Sequence, residues 1–276
     1  MNITDALRAA RAKKPLVQCI TNVVTVNDCA NIILAAGGTP TMAHIREEAA
    51  EAVRAASALV TNLGAAEYID SMVLAGKEAN RLGIPVVFDP VACGATEFRR
   101  NASRRLLSGV HFQVIRGNVS EIRALAEGQG ARGSGVDASA GDAVTAESLP
   151  RVVEAARSLA LSTGAVVAVS GAEDVITDGR KTVVVKNGCA VMARITGSGC
   201  MLSSLCGTFA GALPEDPFRA ALTAFTVMGV AGERADQARL RKGTGNATFR
   251  TDLIDAVFCM TEEDLLKEAR YEIYEG

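Results

Sequence analysis

The chain lacks the residues that metal centres and disulfide frameworks require. Its 276 residues include no Trp and only two His, and aromatic residues make up 4% of the total. Two histidines exclude a His-rich metal site, and they leave few bases for a Cys-His catalytic pair. Its seven cysteines are odd in number and never spaced Cys-x-x-Cys, so we predict neither a zinc site nor a disulfide framework.

The chain also lacks a strong excess of either charge. Its 29 basic and 31 acidic residues give a net charge of −2, with no long block of one sign. This balance argues against a nucleic-acid or anionic membrane partner and favours a small-molecule substrate. Charges at Arg8, Arg11, Lys13 and Lys14 interrupt any apolar leader, so we expect a cytoplasmic protein. The longest uncharged stretch, 195–213, contains four Gly, which favours a buried helix over a membrane span.

The common nucleotide-binding motifs are absent from the sequence. There is no Gly-x4-Gly-Lys-Ser/Thr loop and no protein-kinase signature set. Residues 128–133 spell Gly-x-Gly-x-x-Gly, but they follow a helical pattern and lead into more loop. A dinucleotide site needs a strand before this motif and a helix opening within it, so we predict a surface loop here.

Short apolar runs alternate with longer helical patterns, which predicts an α/β fold. We expect one domain over 1–276, with a mostly parallel sheet and helices on both faces. Asp178-Gly179 lies between two Val-rich runs and predicts an antiparallel hairpin at one sheet edge. Predicted strands are 16–20, 58–61, 85–88, 112–115, 165–169, 174–177 and 182–185. Predicted helices are 28–36, 66–82, 98–107, 119–127, 145–163, 199–212, 217–240, 246–260 and 262–272.

The most informative segment is Gly197-Ser198-Gly199-Cys200, where a loop becomes an apolar helix. The first N–H groups of a helix have no intrahelical acceptor, and the helix dipole adds positive charge there, so this junction suits a phosphate. Cys200 would project from the first turn toward the same point, where it could accept a proton or orient a hydroxyl. An ordinary helix start with a buried cysteine remains the alternative.

Polar residues follow several predicted strands, at the sheet edge where α/β proteins bind ligands. They are Asp89, Arg116, Asn118, Glu121 and Ser170. Two carboxylates and a guanidinium beside an anion site suit a phosphate group with Mg²⁺. Each also has a structural alternative. Asn118 and Glu121 have the spacing of a helix cap, Arg116 could pair with a surface acid, and Asp89 before proline could simply end a strand.

Taken together, these segments resemble the hydroxyethylthiazole kinase family of the ribokinase-like superfamily. The resemblance covers nearly the whole chain and rests on segments in a fixed order: 20–31, 37–43, 89–96, 116–122, 195–202 and 243–245. It implies a ribokinase-like fold and ATP-dependent phosphorylation of the hydroxyl of 4-methyl-5-(2-hydroxyethyl)thiazole in thiamine salvage. It also implies ATP as co-substrate, Mg²⁺ as cofactor, and a homotrimer with active sites between subunits.

The resemblance assigns roles to particular residues. Cys200 occupies the place of a catalytic aspartate in other ribokinase-like enzymes, and Gly197, Ser198 and Gly199 form the anion hole. Metal-associated acids are implied at Asp89 and Glu121. Nucleotide contacts are implied at Arg116 and Ser170, and we add their neighbour Asn118. The thiazole pocket is implied at Asn22, Val24, Met42 and Gly197.

Two departures from the family pattern bear on fine substrate preference. Gln18-Cys19 stands where many members have His-Asn, and Ala92-Cys93 replaces a more glycine-rich pair. Alternatives within the same fold are a hydroxymethylpyrimidine kinase and a nucleotide-dependent hydrate dehydratase. An alternative of another class is a non-catalytic protein that binds thiamine precursors.

Overall fold

The computed structural model describes residues 2–128 and 148–276. Its strands are β1 Leu16–Ile20, β2 Thr39–Thr41, β3 Ala58–Asn62, β4 Val86–Asp89, β5 Val114–Asn118, β6 Val166–Ser170, β7 Asp174–Thr177, β8 Thr182–Val185 and β9 Tyr271–Ile273. Its α-helices are α1 Thr4–Lys13, α2 Val26–Ala35, α3 Arg46–Val53, α4 Ile69–Leu82, α5 Glu97–Gly109, α6 Val119–Gly128, α7 Leu149–Thr163, α8 Ser198–Ala212, α9 Pro217–Lys242, α10 Asn246–Cys259 and α11 Glu262–Glu268. Two 3-10 helices span Leu63–Tyr68 and Ala190–Arg194.

Over the described ranges the strands form one sheet in the order β2-β1-β3-β4-β5-β6-β7-β8-β9. Strands β1 to β6 pair in parallel, and β7, β8 and β9 continue the sheet in antiparallel register. Apart from the short strand β2, the parallel strands are buried along nearly their whole length, as expected for strands covered by helices on each side. Their carboxyl ends therefore meet at one sheet edge.

Alternate residues of each strand enter two separate cores. Val17, Val60 and Val87 pack with α1, α8 and α9 on one face. Leu59 and Phe88 are the chain neighbours of Val60 and Val87, and they pack with α4, α5 and α7 on the other face. The two-residue period of a strand thus builds a three-layer architecture in which α8 lies buried against the sheet.

Most sequence predictions of secondary structure are confirmed. The predicted parallel strands and the 174–185 hairpin are present, with Gly179 at φ +90 in the connecting turn. The uncharged stretch forms the buried helix α8. No helix in the described part of the chain is long and apolar enough to cross a membrane. The first part of the predicted 145–163 helix and nearly all of the 128–133 loop lie outside the described residues.

The predicted helix over 262–272 is wrong at its end. Helix α11 stops at Glu268, and Ala269 is already extended. Residues Tyr271–Ile273 then pair antiparallel with β8, with Val183 opposite Ile273. The exposed edge of β8 offers backbone hydrogen bonds that outweigh local helix propensity. The structure also contains α1, α3 and β2, which have no counterpart among the predicted elements.

The described cysteines are free thiols, in agreement with the prediction of no disulfide framework. Cys19, Cys29, Cys93 and Cys206 are buried among apolar side chains. Burial raises the pKa of Cys29, Cys93 and Cys206 to about 12, so these thiols stay protonated.

Candidate active site

The candidate site lies where the carboxyl ends of the parallel strands meet the first turn of α8. Asn62 ends β3 directly opposite Asp89 at the end of β4. Ser170 ends β6, with Arg116 two residues before the end of the neighbouring strand β5. Cys200 projects from the first turn of α8 toward the same edge. The parallel topology thus brings together residues that are far apart in sequence.

Asp89 is fully buried at the centre of this cluster. Its Oδ2 accepts hydrogen bonds from Asn62 Nδ2 at 2.9 Å and from Ser203 Oγ at 2.7 Å. Arg116 Nη1 lies 3.8 Å from the same oxygen. Burial raises the pKa of Asp89 to about 7, although the Arg116 guanidinium opposes this rise. The other oxygen, Oδ1, is buried and has no hydrogen-bond partner among the described residues.

Cys200 is held between two side-chain amides. Asn62 Nδ2 lies 3.2 Å from its sulfur, and Asn22 Nδ2 lies 3.4 Å away. Asn22 is in turn fixed because its Oδ1 accepts from both the backbone N–H and the hydroxyl of Thr25. Burial raises the pKa of the Cys200 thiol, and the negative charge of Asp89 adds to the rise. The helix N-terminus therefore does not make Cys200 a thiolate at neutral pH.

The glycines before Cys200 allow close backbone packing. Gly197 has φ +86, a conformation that glycine adopts without strain, and a Cβ there would lie 2.7 Å from Thr25 Cγ2. A Cβ on Gly199 would lie 2.6 Å from Arg116 Nη1. The guanidinium thus packs directly against the start of α8, where the Ser198 and Gly199 backbone lines a cleft. A cation and a helix N-terminus converge on one point, as an anion site requires.

Arg116 is mostly buried on β5, and its Nη2 donates a hydrogen bond to Ser170 Oγ on β6. The alternative that Arg116 merely pairs with a surface acid is therefore wrong, because the acid beside it is the buried Asp89. Arg116 and Ser170 both line the cleft, as a nucleotide-phosphate role requires.

Asn118 and Glu121 form a reciprocal cap at the start of α6. Asn118 N–H donates to Glu121 Oε2, and Glu121 N–H donates to Asn118 Oδ1, each at 2.8 Å. Glu121 Oε1 also accepts from the N–H of Ala92, a residue with φ +53. The helix cap that was the alternative for Asn118 and Glu121 is thus present. Glu121 also lies near enough to Asp89 for its negative charge to raise the pKa of Asp89. Metal and nucleotide roles for these residues stay predictions.

The residues predicted for the thiazole pocket lie in different environments. Asn22 contacts Cys200. Val24 is 71% exposed, and Met42, partly buried after β2, packs against the core that contains α8. The carbonyl of Met42 lies 2.8 Å from Nδ1 of His44. The single chain thus gathers Asn22, Gly197 and Cys200 at one place and leaves Val24 at the surface.

A cleft of about 540 Å³ opens beside the N-terminus of α8. Arg116, Ser170, Ser198 and Gly199 line one part of it, and the segment 187–193 lines another. Its volume lies in the range of small-molecule and cofactor sites, about 300–1,000 Å³. Cys200 and Asn22 are not among its lining residues. The cleft therefore meets the start of α8 at Ser198 and Gly199, which directly precede Cys200 in the chain.

Sequence reasoning missed Asn62, Ser203 and Thr25. Asn62 could have been found, because it directly follows the predicted strand 58–61, and the other polar candidates also follow predicted strands. Ser203 lies three residues after Cys200 in an apolar helix, and Thr25 carries no local signal. Only the packing of α8 and α2 reveals the roles of these two hydroxyls.

Comparison with known proteins gives a consistent result. The family model described as "Hydroxyethylthiazole kinase family" matches residues 7–263. A hydroxyethylthiazole kinase from Thermoanaerobacter sp. (strain X514) is 45% identical over 271 residues, which are 98% of this chain and 99% of the relative. The structure of the hydroxyethylthiazole kinase protein from Pyrococcus horikoshii OT3 has a TM-score of 0.86 and 35% identity and covers 99% of both chains.

A more distant likeness concerns the fold alone. The pyridoxal kinase from Staphylococcus aureus, solved with AMP-PCP and pyridoxal, has a TM-score of 0.57 at 13% identity, over 80% of this chain and 88% of that one. These matches confirm the predicted ribokinase-like α/β fold. With a family model over most of its length and close relatives over nearly all of it, the chain belongs to the hydroxyethylthiazole kinase family.

Proposed function

We propose that the protein transfers the γ-phosphoryl group of ATP to the hydroxyl of 4-methyl-5-(2-hydroxyethyl)thiazole, a step of thiamine salvage. The observation that carries this proposal is the near full-length match to hydroxyethylthiazole kinases at 45% identity. The geometry supports it, because a cleft with room for a phosphoryl donor adjoins the N-terminus of α8, where Asn22 and Asn62 hold Cys200.

Each group at the junction has a task in this reaction. The N–H groups of the first turn of α8 and the Arg116 guanidinium offset the negative charge of the transferred group. Asn22 and Asn62 hold the Cys200 sulfur in place. Because its raised pKa keeps Cys200 a thiol at neutral pH, the sulfur orients the substrate hydroxyl by accepting its hydrogen bond. Orientation of this kind is a main contribution of the protein to phosphoryl transfer.

The donor set suits Mg²⁺ bound together with a triphosphate. Among the described residues no group of three or more His, Cys, Asp and Glu could hold a metal by itself. Mg²⁺ instead takes one or two carboxylates and completes its shell with waters and phosphate oxygens. The unpartnered Oδ1 of buried Asp89 and the carboxylate of Glu121 would hold it. The ion, when bound, would neutralise charge on the phosphate oxygens.

The proposal includes a single catalytic domain over 1–276 that acts in the cytoplasm as a homotrimer with sites between subunits. The exposed side chains of Val23 and Val24, each 71% accessible, support the trimer because they adjoin Asn22. A neighbouring subunit that covered these residues would remove apolar surface from water and close the acceptor side of the site.

The test is product formation by the purified full-length protein. With ATP and Mg²⁺, ADP release should depend on added thiazole alcohol, and the phosphorylated thiazole should form in equal amount. Hydroxymethylpyrimidine in place of the thiazole should give no comparable rate. Absence of thiazole-dependent ADP release would refute the proposal, as would tight thiazole binding without turnover.

A variant locates the donor side of the reaction. Gly199→Ala would place a methyl group 2.6 Å from Arg116 Nη1 and displace the guanidinium. We expect the KM for ATP to rise at least tenfold, with a smaller effect on the KM for the thiazole. Gly109→Ala is the matched control, because a Cβ there meets its nearest neighbour at an ordinary 3.5 Å. Equal effects of the two changes would argue against a phosphate role for Arg116.

A further inference from the structure

The cleft beside α8 has a charged part and an apolar part. Arg116 and the start of α8 supply positive charge, and Asp174 and Ser170 lie on the adjoining strand ends. The opposite wall comes from the 187–193 segment and from α9. Its side chains are apolar or carry sulfur: Cys189, Ala190, Met192, Ala193, Phe225 and Met228.

Among the described residues, the one side-chain amide in this wall, that of Asn187, is already hydrogen-bonded within the protein. Asn187 is buried, and its Nδ2 donates to the carbonyl of Glu268 at 3.0 Å. Its Oδ1 accepts from the backbone N–H of Arg270 at 2.6 Å. The neighbouring Gly188 N–H donates to Glu233 Oε1 at 2.7 Å. These bonds anchor the wall to α9 and to the chain before β9, and they leave the Asn187 amide committed to protein partners.

Several polar side chains near this wall also have protein partners among the described residues. Cys189 Sγ donates to the carbonyl of Gly232 at 3.3 Å. Asp174 Oδ1 accepts from the N–H of Gly171 at 2.9 Å, and Ser170 accepts from Arg116. The side chains that face the cleft from the 187–193 segment therefore offer van der Waals contact, within the part of the chain that the structure describes.

Van der Waals contact of this kind does not distinguish the nucleobase of one nucleotide from that of another. Each base presents a flat π-face, so stacking on apolar side chains tolerates all of them. Discrimination between bases comes from directed hydrogen bonds to base edges, which need uncommitted donors and acceptors. Methionine side chains such as Met192 and Met228 are flexible and adapt to differently shaped partners. The triphosphate, in contrast, meets the fixed charge of Arg116.

We propose that the phosphoryl-donor site accepts purine and pyrimidine nucleoside triphosphates alike, so that GTP, CTP and UTP serve as donors beside ATP. This inference rests on the proposed function and extends it to the class of donor. The step is the same for each nucleotide. The thiazole hydroxyl oxygen forms a bond to the γ-phosphorus, the bond from that phosphorus to the β,γ-bridging oxygen breaks, the nucleoside diphosphate leaves, and the hydroxyl proton is released to solvent.

The test is a donor panel with the unmodified full-length protein. Magnesium salts of ATP, GTP, CTP and UTP are supplied in turn with saturating thiazole alcohol, and the thiazole phosphate is quantified by chromatography. We expect the four kcat/KM values to agree within tenfold. A kcat/KM for ATP more than tenfold above any of the others would overturn the inference and leave the proposed function standing. Absence of product with every donor would overturn both.

A pair of variants tests the wall itself. Met192→Ala shortens a side chain that lines the cleft, and it should raise the KM for ATP and for CTP by similar factors while the KM for the thiazole stays unchanged. Met260→Ala is the matched control, because Met260 lies in the core and away from the cleft. A rise in KM for ATP alone would mean that the wall reads adenine, and the inference would fail.

Discussion

Asn62 links Asp89 to Cys200, and its replacement by alanine makes the sharpest test of the geometry. Its Nδ2 donates to Asp89 Oδ2 at 2.9 Å and to Cys200 Sγ at 3.2 Å. Its Oδ1 accepts from the Gly64 N–H at 2.8 Å and so caps the 3-10 helix that follows β3. Asn62→Ala removes all three contacts without adding bulk.

The expected loss of stability follows from these contacts. A hydrogen bond to a buried charged group contributes about 1.5–3 kcal/mol. Loss of the cap adds about 1 kcal/mol. We therefore expect Asn62→Ala to lower the free energy of unfolding by about 3 kcal/mol, a large share of the roughly 5–15 kcal/mol typical of a folded domain. Urea unfolding at pH 7, followed by circular dichroism, measures this loss.

The catalytic effect separates Asn62 from a purely structural residue. We expect kcat to fall at least tenfold, because Cys200 loses one of the two amides that hold it. Ser203→Ala is the matched control, since it removes the other hydrogen bond to Asp89 and leaves both amides at Cys200. It should cost similar stability with a smaller loss of kcat.

A double-mutant cycle completes the test. If Asn62 acts through Cys200, Asn62→Ala should have little further effect on kcat in a Cys200→Ala background. Full multiplication of the two effects, or a loss of stability below about 1 kcal/mol for Asn62→Ala, would refute the reasoning from these hydrogen bonds.

Three further predictions follow from single features. Ala92 has φ +53, a left-handed conformation that costs a non-glycine residue about 1–2 kcal/mol. Ala92→Gly relieves this strain but adds the entropy cost of glycine, so we expect a net gain of about 0.5 kcal/mol in the free energy of unfolding, measured in urea. A loss of stability would contradict this. Cys200→Asp should keep or raise kcat while Cys200→Ala lowers it, because a carboxylate accepts the hydrogen bond of the substrate hydroxyl better than a thiol does. An inactive Cys200→Asp enzyme, together with a covalent adduct trapped on the thiol of the unmodified enzyme, would instead indicate nucleophilic catalysis. Burial raises the pKa of both Asp89 and Asp174 to about 7, above the unfolded value of about 3.9. The folded state therefore binds more protons than the unfolded state between these values, and the free energy of unfolding should fall as pH rises from about 4 to 7. Asp174→Asn should reduce this slope, and an unchanged slope would show that Asp174 does not titrate there.

The sequence predicted which residues lie at the carboxyl ends of the strands, but it did not predict their hydrogen-bond partners. The rule that ligands bind beyond the carboxyl ends of strands located Asp89, Arg116 and Ser170. The same rule would have found Asn62 if it had been applied to the strand 58–61. The rule does not tell which neighbour donates to which, because hydrogen-bond partners depend on side-chain directions that packing sets.

The errors have a common cause. The pattern at 262–272 suits a helix, yet the last residues pair with β8, an edge strand that lies some ninety positions earlier in the chain. A similar competition sets the pKa of Cys200, for which the sequence predicted no shift. A helix N-terminus lowers a thiol pKa, but burial and the nearby Asp89 raise it here. In both cases a distant part of the chain outweighs a local preference.

By itself the sequence determined the local elements of this protein and its family. Apolar runs of strand length, the Asp178-Gly179 turn and the glycines before Cys200 each follow from the conformations that those residues allow. The tertiary structure alone decided that Asn62 joins Asp89 to Cys200, and that Arg116, Ser170 and the start of α8 line one cleft. The physical reason is that these contacts join residues from separate strands and helices, whose distances are fixed only when the sheet and its two cores pack together.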